Sequence, residues 1–400
     1  MKDIRGGVVA PSGFRAGTAE CAIKSAGRPD LVLIVSDVPA VCAGMFTTNR
    51  IKGAPVLVSR ENVKKGVARA IVANSGNANV CNGEDGISAA LSMVNETARR
   101  IKCEPREVLV ASTGVIGRPF PVEKAVGGIP GAVADLKAEY RETICRAIMT
   151  TDTCPKETAV EFEIGEAIVK IGAMAKGSGM ICPTMATMFC FITTDADIEQ
   201  SALKKALQRA VERSFNCITV DGDMSTSDTV LALANGKAGN QTIRSRSKAF
   251  DQFVDALTEV CLRMAKAIVS DGEGATKLIT INVTGAAGRE EAHDVGLSVA
   301  NSPLVKTAFF GGDPNWGRII CAAGYSGVCV EESRITITVN GVTLFDSGRV
   351  MPVDEKEIRK KLESREIDVT IDLGMGEAET TIYTSDMSYD YVKINAEYTT

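Results

Sequence analysis

From Lys176 the chain runs Lys-Gly-Ser-Gly-Met-Ile-Cys-Pro-Thr-Met-Ala-Thr-Met188 and passes directly into Phe-Cys-Phe-Ile-Thr-Thr194. Glycines and a proline followed by so apolar a stretch read as a flexible loop feeding a buried strand. Thr187 therefore stands at the mouth of that strand, behind the small Ala186. A hydroxyl in this position can attack the carbonyl of Ala186, pass the chain to an ester and let water split it. Thr187 then becomes a new N-terminus, with its free amine beside its own hydroxyl as a built-in base. A β-branched residue opening a strand is the plainer reading of the same threonine.

The histidine count favours the reactive reading. The chain has one histidine, His293, in the charged, helix-like segment Arg-Glu-Glu-Ala-His-Asp-Val. No G-x-S-x-G elbow supplies a serine for it, and one imidazole makes no multi-histidine metal site, so no metal is expected. His293 reads as a solvated helix residue. A base must then come from elsewhere, and a terminal amine, with an ordinary pKa of about 7.7–8.0, is neutral often enough to serve.

Composition removes other classes. At 400 residues and 45% hydrophobic content the chain can bury a large core, as two lobes or one large α/β unit. The net charge of −5 comes with Lys and Arg scattered along the chain, so no nucleic-acid or membrane surface is expected. Residues 1–7 lack the apolar core of a signal peptide and no apolar run is long enough to span a bilayer, so a cytoplasmic location is expected. The 12 cysteines form no C-x-x-C pair. Most sit in apolar runs and read as packing residues, Cys182 and Cys190 beside the key segment included.

Short β-rich runs alternate with amphipathic helical ones. Leu31 to Ser36 and Ala70 to Ala73 read as buried strands, and 159–164 with 167–171 as a hairpin running toward the key loop. Helices are expected over 87–101, 134–148, 201–215 (with Ser201 as N-cap) and 249–268. A hairpin turning at Asn340-Gly341 is expected over 335–345, followed by a meander of 367–373 with 378–383. Helices covering a sheet in mixed layers are the natural architecture.

A second constellation, Ala111-Ser-Thr-Gly-Val-Ile-Gly-Arg-Pro119, follows the strand-like 107–110. Such a loop leaves peptide N–H groups unpaired, as an oxyanion hole requires, with a Thr113 hydroxyl and a closely approachable Gly114 backbone. An ordinary strand-to-helix turn fits the same residues. Polar clusters at 149–156, 220–228, 269–275 and 311–318 complete the inventory. Each is singly a capped turn, and Asp221, Asp223 and Asp228 do not space as an EF-hand.

Taken together these segments resemble the ornithine acetyltransferase family of arginine biosynthesis, ArgJ. The resemblance is carried by the 176–188 segment, Ser-Thr-Gly-Val-Ile-Gly, Thr-Thr-Asp-Thr, Ser-Asp-Gly-Glu-Gly-Ala-Thr-Lys and Gly-Asp-Pro-Asn-Trp-Gly-Arg. Ala73-Asn-Ser-Gly-Asn-Ala-Asn79 and the tail 389–400 match as well. It implies a layered α/β sandwich with a self-cleaving, N-terminal-nucleophile-like core. Cleavage between Ala186 and Thr187 is implied, giving an α chain of residues 1–186 and a β chain of 187–400 that assemble as a heterotetramer of two of each. Thr187 would be the nucleophile, and Thr113 and Gly114 the oxyanion hole. Thr153, Lys176, Glu273, Asn395 and Thr400 would bind substrate, with the inward hydroxyl of the 150–153 run left open. The implied reaction passes acetyl from N2-acetylornithine to glutamate. No cofactor is implied, and acetyl-CoA as a further acetyl donor is left open. A self-cleaving aminopeptidase or amidase is the alternative, and a non-enzymatic scaffold a third.

Overall fold

The computed structural model describes residues 1–24, 27–182 and 188–397. Alternation along the strands explains its layers. In the strand Phe189–Thr194, Cys190 and Ile192 pack toward the helices Gln200–Glu212 and Lys248–Ser270. Phe189 and Phe191, one residue out of phase, enter a different core. Likewise in the long strand Leu31–Phe46, Leu31, Leu33 and Val35 face the helices Gly83–Ile101 and Val122–Ala134, while Val32 and Ile34 meet the two phenylalanines. Period-2 side-chain placement thus sorts one nine-stranded sheet into two facing halves with helices outside each, a helix–sheet–sheet–helix sandwich.

The halves are joined through Leu31–Phe46. Its later part pairs antiparallel with Thr229–Ala234, its earlier part with Val67–Asn77, and the register of the latter pairing shifts between Val35 and Ala40. On one side, Lys156–Ile164 and Ala167–Lys176 form the expected hairpin, and Ala167–Lys176 lies antiparallel to Phe189–Thr194. On the other, Val67–Asn77 runs parallel to Val108–Val115. The sheet therefore draws strands from both sides of position 187. The expected cleavage pair, Ala186 and Thr187, lies outside the described residues.

A separate seven-stranded sheet carries its own core, in which Ile281, Val283, Ile337 and Val369 pack against Val295, Val299, Ile319 and Ala322 of the helices Arg289–Ala300 and Trp316–Gly324. Asn340 and Gly341, both at positive φ, turn its hairpin as expected. The meander does not form. Glu366–Asp372 and Ala378–Ser385 flank the strand Leu278–Ala286 on opposite sides, because the link between them crosses that strand's end and donates the Met375 and Gly376 N–H groups to Gly285 O.

Two helix expectations also change. No helix runs over 134–148: the preceding one ends at Ala134, and only Thr143–Arg146 is helical beyond it. Asp135 instead accepts the Thr18 N–H, with Arg141 Nη1 donating to both of its carboxylate oxygens, and Lys137 bridges to Ala16. These tertiary partners outweigh the local periodicity. Helix Gln200–Glu212 starts after Glu199 rather than at Ser201, with no side-chain cap. His293 is partly buried, with Nε2 3.1 Å from Asn216 O, and is not simply solvated.

Candidate active site

The loop expected from Ala111 does not begin there: pairing with the parallel neighbour carries the strand on through Val108–Val115, so Thr113 and Gly114 lie near its end, opposite Ser75 and Gly76. Gly114 has φ +128°, and a Cβ there would sit 2.4 Å from the carbonyl carbon of Gly76 and 2.6 Å from the nitrogen of Asn77. No other residue fits this backbone. The surrounding loops are pinned by the asparagine-rich segment. The Ser112 hydroxyl donates to Asn74 at 2.6 Å, and the Asn77 side chain donates to the carbonyls of Arg118 and Pro119 at 3.3 and 3.1 Å. The signature around Asn74 is thus a scaffold for the strand end that carries Thr113.

Lys176 ends its strand opposite Phe189 and is buried, with Nζ donating to the Thr113 hydroxyl at 3.2 Å. Burial lowers the Lys176 ammonium below the ordinary lysine range, and Lys156 adds to this while Asp152, Asp228 and Glu273 oppose it. Asp152 is the nearest compensation. Its buried carboxylate accepts from the Lys156 ammonium at 2.7 Å and from the Gly177 N–H at 2.8 Å. Burial disfavours its charge, but Lys176, Lys156 and the Gly177 N–H prevail and hold it down at about 2. Lys156 also pairs with Asp271. Lys156 is thus held between two buried acids, while Lys176 feels Asp152 through space without a direct ion pair among the described residues.

The opposite side comes from elsewhere. Glu273, in the loop after helix Lys248–Ser270, approaches Gly179 so closely that a Cβ there would lie 2.4 Å from its carboxyl carbon. This accounts for the second glycine of Lys-Gly-Ser-Gly. Asn395, on the C-terminal helix Tyr389–Glu397, donates to Glu273 Oε2 at 2.9 Å. Gly274 receives the start of that helix, where a Cβ would meet the Tyr391 nitrogen at 2.4 Å, and Ser388 donates to Gly274 O at 2.6 Å.

These residues line one cavity. Thr113, Gly114, Lys176, Glu273 and Asn395 all line it, together with Thr150, Thr151, Ser225, Thr226 and Ser227. Thr153 does not line it: its N–H and its hydroxyl are both directed to Asp271. Of the hydroxyl run it is therefore Thr150 and Thr151 that face inward. Thr187, Ala186 and Thr400 lie outside the described residues. The cavity nevertheless adjoins the start of the 189–194 strand, since Lys176 is paired with Phe189. Burial raises the Cys182 thiol to about 11 and pushes that of Cys190 well above its usual value, in keeping with packing roles.

The sequence reading missed the frame of Asp152, Lys156 and Asp271. All three stand in the polar clusters singled out at 149–156 and 269–275. Their pairing spans 115 or more residues for Asp271, which no local pattern reveals.

The family model described as the ArgJ family matches residues 15–400. The chain is 48% identical to the "Arginine biosynthesis bifunctional protein ArgJ" of Symbiobacterium thermophilum over the full length of both. It is 49% identical to the protein of the same name from Geobacter sulfurreducens, over 97% of this chain and 99% of that one. Among solved structures, the crystal structure of the arginine biosynthesis bifunctional protein from Bacillus halodurans matches with 41% identity and a TM-score of 0.51. That match covers 52% of this chain and 98% of the other.

Proposed function

The chain belongs to the ArgJ family of arginine biosynthesis, and from that premise we propose that it moves an acetyl group from N2-acetylornithine to glutamate through an acetyl ester on Thr187. The observation that carries this reading is the convergence of Thr113, Gly114, Lys176, Glu273 and Asn395 on one cavity beside the strand that follows Thr187. Donor and acceptor share an α-carboxylate and an α-nitrogen. One pocket can hold either, with the Lys176 ammonium taking the carboxylate and Glu273 the distal ammonium of ornithine.

Cleavage between Ala186 and Thr187 exposes the amine that serves as base. The Thr187 hydroxyl then attacks the acetyl carbonyl, and the oxyanion forms against the Thr113 hydroxyl and the Gly114 backbone. Ornithine leaves, glutamate enters, and its amine collects the acetyl group. Before cleavage the nitrogen is an amide and cannot accept a proton, so the precursor is inactive. The match of nearly all of the Bacillus halodurans chain to only about half of this one supports a family built from two cleaved chains. Assembly as a heterotetramer, acetyl-CoA as a second donor and a cytoplasmic location belong to the same proposal. The bifunctional name of the relatives supports the second donor, and no helix among the described residues is long and apolar enough to cross a membrane.

The test is an acceptor-dependence assay with purified protein and N2-acetylornithine. Ornithine release is expected to require glutamate and to match N-acetylglutamate formed. Release at the same rate without glutamate would indicate an amidase passing its acyl group to water.

A further inference from the structure

The loop between the strands Ile218–Thr219 and Thr229–Ala234 has no role in the scheme above beyond lining the cavity, yet it grips the chain on both sides of the cleavage segment. Upstream, the Asp221 carboxylate accepts the N–H of Met180 at 2.6 Å and of Ile181 at 2.8 Å. The Ile181 carbonyl accepts the Val220 N–H at 2.9 Å and the Thr219 hydroxyl at 3.0 Å. Downstream, Asp228 Oδ1 accepts the Met188 N–H at 3.1 Å, and Met188 O accepts the Thr229 N–H at 3.1 Å.

Met188 is bonded to Thr187, and consecutive backbone nitrogens are three bonds apart. The residue that Asp228 grips is thus the immediate chain neighbour of the assigned nucleophile. Asp228 is fully buried, and among the described residues no donor meets its second oxygen. Burial dominates its behaviour and pushes the carboxyl well above its ordinary range, against the Met188 N–H, Lys176 and the nearby Ser225 and Thr47 hydroxyls. Among the described residues Lys176 acts on this carboxyl without offsetting its burial, so a closer cation would stabilise its charge. Cleavage creates one. The Thr187 oxygen bonds to the Ala186 carbonyl carbon, the C–N bond breaks, and the hydroxyl proton ends on nitrogen. Water then splits the ester, leaving a carboxylate on Ala186 and an amine on Thr187.

Resting on the nucleophile assigned above, we infer that Asp228 is the positioning residue for the Thr187 amine, its free oxygen holding that nitrogen beside the Thr187 hydroxyl in every turnover. The carboxylate accepts a hydrogen bond from the amine in both its neutral and its charged form, so orientation survives the proton transfers. Other charged groups bear on the same point. Lys176, from the strand Ala167–Lys176, lowers the amine's proton affinity, while Asp221 and Asp223 from the loop and Glu273 from across the cavity raise it. Asp228 adds to the raising side. The rate rises with pH as the amine becomes neutral, so removing the carboxylate moves the acid limb to lower pH.

The experiment compares wild type, Asp228→Asn and Asp228→Glu by intact mass for cleavage, by thermal melting for folding, and by pH profiles of kcat and kcat/KM. For cleaved D228N we expect kcat down by about 10- to 100-fold, KM within about twofold, and the acid limb lower by about one pH unit. D228E, which keeps the charge, should hold the limb at the wild-type position and recover part of kcat. A D228N chain that folds but stays uncleaved places the same role at the earlier step, provided D228E restores cleavage. Where D228N does not fold, the limb of D228E decides alone. A cleaved D228N enzyme with the wild-type limb, or a D228E enzyme whose limb has moved, overturns the inference. A wild type that is uncleaved or unacetylated at Thr187 refutes the nucleophile instead, and is read first.

Discussion

The two walls of the cavity are built by different means. Thr113, Gly114 and Lys176 stand on paired strands, where register fixes the backbone and buried charges fix the lysine. Glu273 and Asn395 stand on a loop and on a C-terminal helix that contributes no buried residue, and they hold one another through a single side-chain bond. The first wall has the rigidity that stabilising a transient oxyanion demands, because its donors must be aimed before charge develops. The second, on a loop and an exposed helix, is less fixed by backbone pairing, which suits the two alternating substrates proposed above. Defects in the first should therefore appear in kcat, and defects in the second in KM.

Gly114→Ala should break the contrast most severely. The new Cβ must push against the backbone of Gly76 and Asn77, displacing the Gly114 backbone proposed to face the oxyanion. Steady-state kinetics should show kcat reduced by about 10²–10³-fold, as for loss of an oxyanion donor. A loss under tenfold would remove this residue from the chemistry.

Asp152→Asn tests whether buried charge fixes the same wall. With its carboxyl held at about 2 in the folded chain, Asp152 binds its proton less readily there than when unfolded, near 3.9. Its contribution is complete above the unfolded value and is lost as pH falls through the folded one, on the order of 2 kcal/mol. Removing it also leaves Lys156 with Asp271 alone and takes from Lys176 the largest charge that opposes its burial. Denaturant melts should show about 3 kcal/mol or more lost at pH 7. They should also show a flatter decline between about pH 4 and 2 than in wild type. An unchanged acid profile would contradict the pairing.

Smaller effects are expected across the cavity. Glu273→Gln should raise KM for N2-acetylornithine by about tenfold, with kcat within a few-fold. Asn395→Ala, on an exposed helix, should raise it by only about two- to fivefold. If either lowers kcat as much as Gly114→Ala does, the two walls are not functionally distinct.

The legibility of the sequence follows the same line. The strand after Thr187 and the hairpin leading to Lys176 are local patterns and form as read, whereas the strand before Thr113-Gly114 runs on to Val115 through a pairing with Val67–Asn77 that no local pattern shows. The helix expected over 134–148 fails because Asp135 and Lys137 find partners at Thr18 and Ala16, more than a hundred residues away. Thr153 and Thr150 are indistinguishable in sequence, and only the position of Asp271 turns Thr153 aside. Asp228 was read as one acid of a turn. Its significance comes from the Met188 N–H, forty residues earlier, which it binds.

The most direct measurement is denaturing intact-mass spectrometry after brief exposure to N2-acetylornithine. The account predicts two chains, ending at Ala186 and beginning at Thr187, with one added acetyl mass confined to the second. A single uncleaved chain, or acetyl carried on the first chain, would contradict it.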